Sequence, residues 1–350
     1  MQRSIRVKNS LTPYALSVYA AAAMLAGCGG SQPPTSTIGA MPQRNAFAAH
    51  ADRGRSWMLP EATAKNSVLL YVAEMHGGVF VYDYKSGKRV GTLTGLHGPA
   101  GECVDAKGDV YVTEYGNGEV AEYAHGGTSA IKKWATSGTA FGCSVDKTND
   151  LAVADSYTNS GPGQIEIFPK GGSKGRTYAD PKVCYDMWPP GYDENSDLIV
   201  ECAKNGVAIA ALLHGASRMV TLSYDTSIHQ PGGVMWDGKY IALTDENANN
   251  SGPGHHTGIE QATLSGRTLT KVGETVLGDS CNNTYAEILA PFIVGKKNTP
   301  VNTEQGTAVI GANLACNGSV GVWHYPKSDD PFREIGKSGS GYTQVVSIGQ

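Results

Sequence analysis

A short apolar pattern recurs along most of the chain, and in most copies it ends in a carboxylate. The first copy is Leu70–Glu74 and the second is Val110–Glu114. Four more copies follow at Leu151–Asp155, Leu198–Cys202, Ile241–Asp245 and Val309–Asn313. Short apolar runs bounded by Gly, Asp and Asn are typical of strands that are buried on both faces. The pattern therefore predicts an all-β domain that begins at about residue 65.

The spacing of the copies predicts how the strands are arranged. The first five strand ends, from Glu74 to Asp245, follow one another at 40, 41, 47 and 43 residues, and the last interval is 68 residues. Periods of about 40–50 residues that contain only strands are typical of the blades of a β-propeller. Each period has room for four strands, joined by turns that are rich in Gly, Asp, Asn and Lys, as hairpins require.

The two ends of the chain are expected to share one blade. The first period begins at Val68–Ala73, which has second-strand character, and so lacks an innermost strand. A lone strand at Tyr342–Ile348 would fill that place and remove the exposed sheet edges. We predict an all-β, six-bladed β-propeller with four-stranded blades over residues 65–350, in which the C-terminal strand closes the first blade.

Composition fits this fold and narrows the choice of partners. The 350 residues include 45 Gly and 17 Tyr, and only 17% are charged, which suits neither a helical bundle nor a disordered chain. The formal net charge is −4, and Lys and Arg form no runs. A net acidic surface argues against nucleic acid as a partner.

The N-terminus carries the features of an export signal. Residues 1–8 are basic, the segment up to Gly27 is apolar and rich in Ala, and Leu25–Cys28 has the sequence Leu-Ala-Gly-Cys. That sequence resembles the lipobox of bacterial lipoproteins, and the resemblance implies cleavage before Cys28 and diacylation of its thiol. We predict a lipoprotein signal peptide at 1–27. The alternative is an ordinary secretory signal with an incidental cysteine.

Residues 28–64 are predicted to contain the lipidated Cys28 and a flexible tether, because they are rich in Pro, Ser, Thr and Ala. The lipid makes the membrane a partner and places the chain in the bacterial cell envelope, on the extracytoplasmic side. No Asp follows Cys28, which implies the outer membrane if the source is Gram-negative. Trp57–Pro60 breaks the tether composition, and we interpret it as an apolar clip that docks the tether on the domain.

Six cysteines remain after Cys28, and an even number suggests disulfides in an exported chain. The strand map selects three pairs. They are Cys103–Cys143 on neighbouring innermost strands, Cys184–Cys202 on adjacent antiparallel strands and Cys281–Cys316 at one end of a hairpin. The alternative is free buried thiols. Zinc ligation is not expected, because no Cys or His spacing matches a zinc site.

The strand-end side chains are the main candidates for a ligand or metal site. If the loops after the second strands share one face with the blade junctions, that face collects Glu74, Glu114, Asp155, Asp245 and Asn313. An oxygen-rich ring of this kind could hold Ca²⁺. The alternative is that each carboxylate accepts hydrogen bonds from backbone N–H groups of its own turn. Recurrence in nearly every blade favours this structural role, so we expect no cofactor, with Ca²⁺ as the exception to test.

Histidines offer a weaker signal. His255 and His256 are adjacent, and adjacent residues on a strand point to opposite faces, so we interpret them as an exposed loop tip rather than as metal ligands. His97 and His229 each lie two residues before a proline at a blade junction, where they would serve a turn or line the central mouth.

Residues 99–123 carry a family resemblance. Pro99–Asp105, Gly108–Glu114 and Gly118–Tyr123 resemble the NHL repeat, and residues 69–349 are similar to NHL-type and gluconolactonase-like six-bladed propellers. The lactonase relatives hold a divalent metal through Glu and Asn or Asp at the starts of innermost strands. The matching places here are 98–101, 139–142, 181–183 and 230–233, and Glu102 is the one candidate carboxylate beside them.

Two main functions remain, besides a purely structural role within an envelope assembly. The first is a lipid-anchored, extracytoplasmic binding or scaffold propeller that takes a protein or glycan on its loop face, without catalysis. The second is a metal-dependent lactonase, hydrolase or lyase of the gluconolactonase-like type, which requires a channel metal near Glu102. The sequence has no G-x-S-x-G, H-E-x-x-H, P-loop or dinucleotide motif, which favours the first function. We expect a monomer that is not an enzyme.

Overall fold

The computed structural model describes residues 54–64, 67–158, 161–248, 255–278, 285–286, 288–294, 308–313, 319–337 and 343–349. All of them belong to one compact unit, Met41–Gln350. Cys28 and the expected pair Cys281–Cys316 lie outside these residues. Apart from two short 3₁₀ segments, Pro60–Thr63 and Pro169–Gly171, the regular structure that is described is β-strand. Within it, no helix has the length and apolar character needed to cross a bilayer.

In chain order, the strands are β1 (Trp57–Met58), β2 (Leu69–Glu74), β3 (Val79–Asp83), β4 (Arg89–Leu93), β5 (Pro99–Val104), β6 (Val110–Glu114), β7 (Glu119–Tyr123), β8 (Ala130–Ala135), β9 (Gly138–Val145), β10 (Leu151–Thr158), β11 (Gly161–Phe168), β12 (Arg176–Tyr178), β13 (Asp186–Met187), β14 (Gly191–Tyr192), β15 (Leu198–Ala203), β16 (Val207–Leu212), β17 (Val220–Tyr224), β18 (Pro231–Trp236), β19 (Ile241–Asp245), β20 (His255–Ser265), β21 (Thr268–Leu277), β22 (Tyr285–Ala286), β23 (Ile288–Val294), β24 (Ala308–Asn313), β25 (Ser319–His324), β26 (Arg333–Lys337) and β27 (Thr343–Gly349).

Within the described residues these strands form five hydrogen-bonded sheets. Three are four-stranded meanders: β5–β8, β9–β12 and β23–β26. The first sheet has the order β1-β4-β3-β2-β27, so the C-terminal strand pairs antiparallel with β2. The fifth sheet combines a fourth group, β13–β17, with a fifth group, β18–β22, because β17 and β21 pair in parallel. The fold is all-β and propeller-like, as the sequence predicts.

The recurring second strands are buried because neighbouring sheets cover both of their faces. In β2, Leu69 and Tyr71 share an apolar cluster with Val110 of the β5–β8 sheet. Leu70 shares another cluster with Ile310 of the β23–β26 sheet. Since side chains alternate along a strand, each face needs its own apolar residues. This is why the pattern is apolar at nearly every position instead of alternating.

The innermost strand of the fourth group is interrupted. Two short strands, β13 and β14, both pair with β15. Pro189 and Pro190 separate them, because proline has no N–H to donate to the ladder. The carbonyl oxygen of Pro189 instead accepts the Val234 backbone N–H at 3.0 Å, which joins the fourth group to the fifth.

Two of the expected disulfides fall within the described residues, and both are present. Cys103–Cys143 joins β5 to β9 across two sheets, with Cα atoms 5.6 Å apart. Cys184–Cys202 joins the chain just before β13 to β15, with Cα atoms 5.1 Å apart. Disulfides persist in oxidising compartments, so both bonds are consistent with an extracytoplasmic protein.

Candidate ligand-binding face

The second strands end where the first strands begin, and this edge carries most of the residues that the sequence singled out. Glu114 lies opposite Pro99, and Asp245 lies opposite Pro231. We call this edge, with its loops, the loop face; its described segments are 75–78, 96–99, 115–118, 136–139, 185–190, 227–231 and 246–248. Segments from four strand groups meet there in one apolar cluster. The cluster contains Met75, Ala100, Tyr115, Phe141 and the partly buried Trp188.

Glu114 ties the end of its second strand to the start of its first strand. Its Oε2 accepts the His97 backbone N–H at 2.8 Å, and His97 Nδ1 lies 3.3 Å from the same oxygen. Its Oε1 accepts a hydrogen bond from Lys133 Nζ at 3.1 Å. The Glu114 side chain is fully buried, whereas 53% of the His97 side chain is exposed. Donors from the protein therefore already engage both oxygens of this carboxylate.

Asp245 makes the same connection in the fifth group. Its Oδ2 accepts the His229 backbone N–H at 2.9 Å and lies 2.9 Å from His229 Nδ1. Its Oδ1 accepts the backbone N–H groups of Gln230 and Asn247, both at 3.0 Å. In this pair, as in the pair of His97 and Glu114, a histidine two residues before a proline bonds one carboxylate oxygen through its backbone and its ring.

The remaining strand ends vary in how they are held. Asp155 is buried, and its Oδ2 accepts a hydrogen bond from Gln164 Nε2 at 3.0 Å. Burial raises the pKa of Asp155 to about 6, although hydrogen bonds from Gln164 and Thr136 oppose the rise. Glu74 is buried at the end of β2. Asn313 ends β24, and its side chain lies outside the described residues.

These contacts give Glu114 and Asp245 a structural role at the sheet junctions. The sequence predicted backbone N–H donors from each carboxylate's own turn, and Asn247 is such a donor, whereas Asn117 donates its side-chain amide. The shortest hydrogen bond of Glu114 and the ring contact of Asp245 instead come from His97 and His229, which precede the innermost strands. The prediction missed them because strand pairing, not sequence proximity, brings these segments together. Carboxylates with several protein donors offer few lone pairs to Ca²⁺.

Replacing Glu114 by Ala should lower the free energy of unfolding by about 2 kcal/mol, because the His97 N–H would lose its acceptor in a partly buried junction. Glu119→Ala is the matched control. Glu119 also bonds Lys133, at 3.0 Å, but it is partly exposed, so its loss should cost less than about 1 kcal/mol. Urea denaturation compares the two variants, and equal losses would show that the junction does not depend on Glu114.

Glu201 is a buried carboxylate that the sequence analysis did not single out. Its Oε2 accepts the backbone N–H groups of Gly232 at 3.0 Å and Gly233 at 2.9 Å, across the junction between the fourth and fifth groups. Burial raises its pKa well above the usual value of a glutamate, and the negative charges of Asp245 and Glu260 add to the rise. In the sequence analysis, only the last residue of each copy of the pattern was considered. In this strand that residue is Cys202, so Glu201 was missed.

Glu102 is a buried carboxyl group on the innermost strand β5. Neither of its oxygens has a hydrogen-bond partner among the described residues. Burial raises its pKa well above the usual value. Its neighbours Ala100 and Val104 both contact apolar clusters. Such an environment disfavours the ionised form, because a buried charge without partners is costly.

Among the described residues, Glu102 has no companion His, Cys, Asp or Glu side chains that would complete a metal site of the lactonase type. In the described part of the chain, no three His, Cys, Asp or Glu side chains come together as a possible metal site. Such a site needs several ligands, and Glu102 supplies one. The Glu102 carboxylate could therefore supply one of the several ligands that such a metal site needs.

Glycines lie within the innermost-strand segments that the lactonase resemblance singles out. A Cβ atom on Gly101 would lie 2.5 Å from the Phe141 carbonyl oxygen, and one on Gly142 would lie 2.6 Å from Pro189. In the fourth group the equivalent place is 189–191, not 181–183 as predicted, and a Cβ atom on Gly191 would lie 2.5 Å from the Val234 carbonyl oxygen. These positions therefore serve the close approach of neighbouring innermost strands.

Aromatic side chains remain available on the loop face. Tyr185 is 45% exposed just before β13, and Trp188 is partly exposed above the apolar cluster. Within that cluster, the ring of Tyr115 packs edge-to-face on Phe141, with centroids 6.2 Å apart. Aromatic surface with a few oriented polar groups, such as the His97 ring, is the usual composition of a ligand site.

His255 and His256 begin a strand rather than forming a loop tip. They pair in parallel with Tyr285 and Ala286, so the backbone is part of an extended arm of the fifth group. His256 is partly buried, and the side chain of His255 lies outside the described residues. The interpretation of these histidines as an exposed tip is therefore not supported by the backbone.

Comparison with known proteins supports the fold alone. No protein-family model matches the sequence, and no curated protein matches it. A chain of the nidogen/laminin complex is similar with a TM-score of 0.58 and 15% identity, over 81% of this chain and 98% of that chain. The hydrazine synthase of Kuenenia stuttgartiensis gives 0.53 and 15%, over 84% and 80%. Virginiamycin B lyase from Staphylococcus aureus gives 0.47 and 15%, over 77% and 84%.

Proposed function

We propose that this chain is a lipid-anchored, extracytoplasmic propeller that binds a protein or glycan ligand on its loop face, without catalysis. The observation that carries the proposal is that the carboxylates and the aromatic side chains on that face have different surroundings. Glu114 and Asp245 are engaged in joining strands, whereas Tyr185 and Trp188 present aromatic surface to solvent. A face with these properties suits recognition better than metal-dependent chemistry.

A closed ring of six four-stranded blades is part of the proposal. It is supported by the way in which the innermost strands adjoin one another. β27 lies beside β5, β5 beside β9, β9 beside β14, β14 beside β18, β18 beside β23, and β23 beside β27. Closure of this kind leaves no open sheet edge between the first and last blades, which would otherwise favour aggregation.

The lipid anchor rests on Leu25–Cys28, and the two disulfides support an oxidising location. If the anchor is present, the N-terminal peptide of the purified protein begins with Cys28 and carries the mass of a diacylglycerol group. Mass spectrometry of that peptide tests it. A peptide that begins at another residue without the lipid mass would refute anchoring and leave the binding face untouched.

Ligand binding is tested by a thermal-unfolding screen of the mature chain against glycans and envelope proteins. A ligand that binds the folded state raises the melting temperature with its concentration. We expect Tyr185→Ala and Trp188→Ala each to weaken the apparent affinity about tenfold, as loss of an aromatic contact residue does. Ile131→Ala is the matched control, because Ile131 is 58% exposed but lies on the outer strand β8. Equal effects of all three variants would refute the loop face as the site.

The second candidate function is a metal-dependent hydrolase or lyase. One observation favours it, namely that both oxygens of the buried Glu102 lack partners among the described residues. The candidate requires lactone or ester hydrolysis by the purified chain that EDTA abolishes and that Glu102→Gln removes. Activity of that kind would replace the binding proposal, and its absence over a broad lactone panel would remove the candidate.

A further inference from the structure

The segment before the propeller is fixed along the outer edge of the first sheet. β1 pairs antiparallel with β4, with Trp57 opposite Thr92. The Leu59 backbone N–H bonds the Val90 carbonyl oxygen at 2.8 Å, and Ser56 Oγ accepts the Thr94 backbone N–H at 2.9 Å. These bonds give the segment a defined position and orientation on the sheet.

One side chain of this segment, that of Met58, packs closely against the sheet. Met58 lies opposite Gly91, and any side chain at Gly91 would collide with the Met58 sulfur. Met58 therefore packs into a gap that the glycine leaves open. Since side chains alternate along a strand, Trp57 and Leu59 point to the opposite face from Met58.

The opposite side of the segment carries exposed apolar side chains. Trp57 is 42% exposed and Leu59 is 37% exposed, and Arg55 and Pro60 are exposed beside them. Trp57 and the extended Leu59 occupy alternate positions and so share one side of the segment, and Arg55 is exposed just before them. We call these four residues the clip surface. Tryptophan with a cationic neighbour is the composition found where proteins meet the headgroup region of a bilayer.

We propose that the clip surface rests on the membrane to which Cys28 is anchored, so that the outer edge of the first sheet faces the bilayer. Only 28 residues separate Cys28 from Trp57. Even a fully extended chain of that length spans no more than about 100 Å, so the lipid anchor keeps the clip surface within reach of the bilayer. This inference rests on the lipid anchor of the proposed function.

A bilayer suits this surface better than a protein partner. Its two exposed apolar side chains form too small an area for a stable protein interface, which buries about 800 Å² on each partner. Next to a lipid anchor, weak contacts count, because the anchor raises the local concentration of lipid. Arg55 adds attraction to anionic headgroups, which acts within a Debye length of the surface. The result is an orienting contact rather than a second anchor.

The test uses the full lipidated protein in vesicles of phosphatidylethanolamine and phosphatidylglycerol with brominated acyl chains, which quench nearby tryptophan. The chain has five tryptophans. We expect brominated lipid to remove about the share of emission that belongs to one tryptophan, and Trp57→Phe to abolish that loss while keeping an apolar ring in place. Trp188→Phe is the control and should leave the loss unchanged, because Trp188 lies on the loop face.

The outcomes separate the inference from the proposal beneath it. If the lipidated protein floats with vesicles but Trp57→Phe is quenched like the wild type, the inference is wrong and the anchor stands. If Trp57 is shielded from brominated lipid and from aqueous acrylamide alike, the protein itself covers it, and the inference is again overturned. If Cys28 carries no lipid and the protein does not float, the proposed anchoring fails and the inference fails with it.

Discussion

Replacing Glu201 by Ala is expected to lower the free energy of unfolding by about 4 kcal/mol, the largest effect of any single change proposed for this protein. Glu201 is fully buried, and its Oε2 accepts two backbone N–H groups, from Gly232 and Gly233. Alanine would leave both donors unsatisfied, at about 1–3 kcal/mol each, and would leave a cavity between two strand groups.

Glu201→Gln is the matched control for that prediction. The amide keeps an acceptor oxygen for both N–H groups, so it should stay within about 1 kcal/mol of the wild type. Urea denaturation at constant m-value measures both variants. If glutamine destabilises as much as alanine, the charge of Glu201 matters rather than its role as an acceptor, and the structural role assigned to it at this junction is wrong.

Replacing Glu102 by Gln should stabilise the protein at neutral pH by about 2 kcal/mol, because a buried charge without partners is costly. Burial raises the pKa of Glu102 in the folded state, and its oxygens have no hydrogen-bond partner within the described residues. In the wild type, the stability that Glu102 contributes is fully present below the pKa of the unfolded chain, which is about 4.3, and is lost as pH rises through the folded pKa. An amide does not ionise and avoids that loss.

The effect of Glu102→Gln must therefore depend on pH. The two proteins should unfold at similar urea concentrations near about pH 4, and the variant should be increasingly more stable as pH rises towards neutral. Glu122→Gln serves as a control, because Glu122 is a less buried acid in the same sheet. A variant that is less stable than the wild type at neutral pH, and only when divalent cations are present, would identify Glu102 as a ligand to an ion.

Local patterns in the sequence were sufficient to predict the strands, but they did not predict every contact between sheets. β6 spans Val110–Glu114 as predicted, and the apolar positions of β2 mark a strand that two neighbouring sheets cover. The parallel pairing of β17 with β21 was not predicted, because it joins residues 45 positions apart, such as Ser223 and Thr268. Nothing in either strand alone specifies that neighbour.

A repeated pair of aspartates marks hairpins that the apolar pattern alone does not locate. Asp146 Oδ1 accepts the backbone N–H groups of Thr148 and Asp150, both at 2.8 Å, which fixes the first hairpin of its sheet. Asp150 then accepts the Lys170 N–H at 2.7 Å, after the third strand. The same spacing of two aspartates occurs at 105–109 and 193–197. An Asp-x-x-x-Asp repeat therefore marks the hairpins of three successive strand groups.

The sequence predicted which residues lie at the candidate site, but it did not predict which contacts they make. The acidic strand ends were found because they recur, and Glu114 and Asp245 accept hydrogen bonds that join strands. Their histidine partners were noticed as residues before prolines, but the sequence could not show that each would bond a carboxylate 16 or 17 positions later. That contact depends on the register between two strands, which only the pairing fixes.

We propose that Glu114 and Asp245 join strands rather than hold an ion, and this central claim is what leaves the loop face for ligand binding. The most direct test is thermal unfolding of the mature chain, first freed of metal with EDTA and then titrated with Ca²⁺. We expect a melting temperature that changes by less than about 1 °C across the titration. A rise that grows with the logarithm of Ca²⁺ concentration and disappears in Asp245→Asn or Glu114→Gln would contradict the claim.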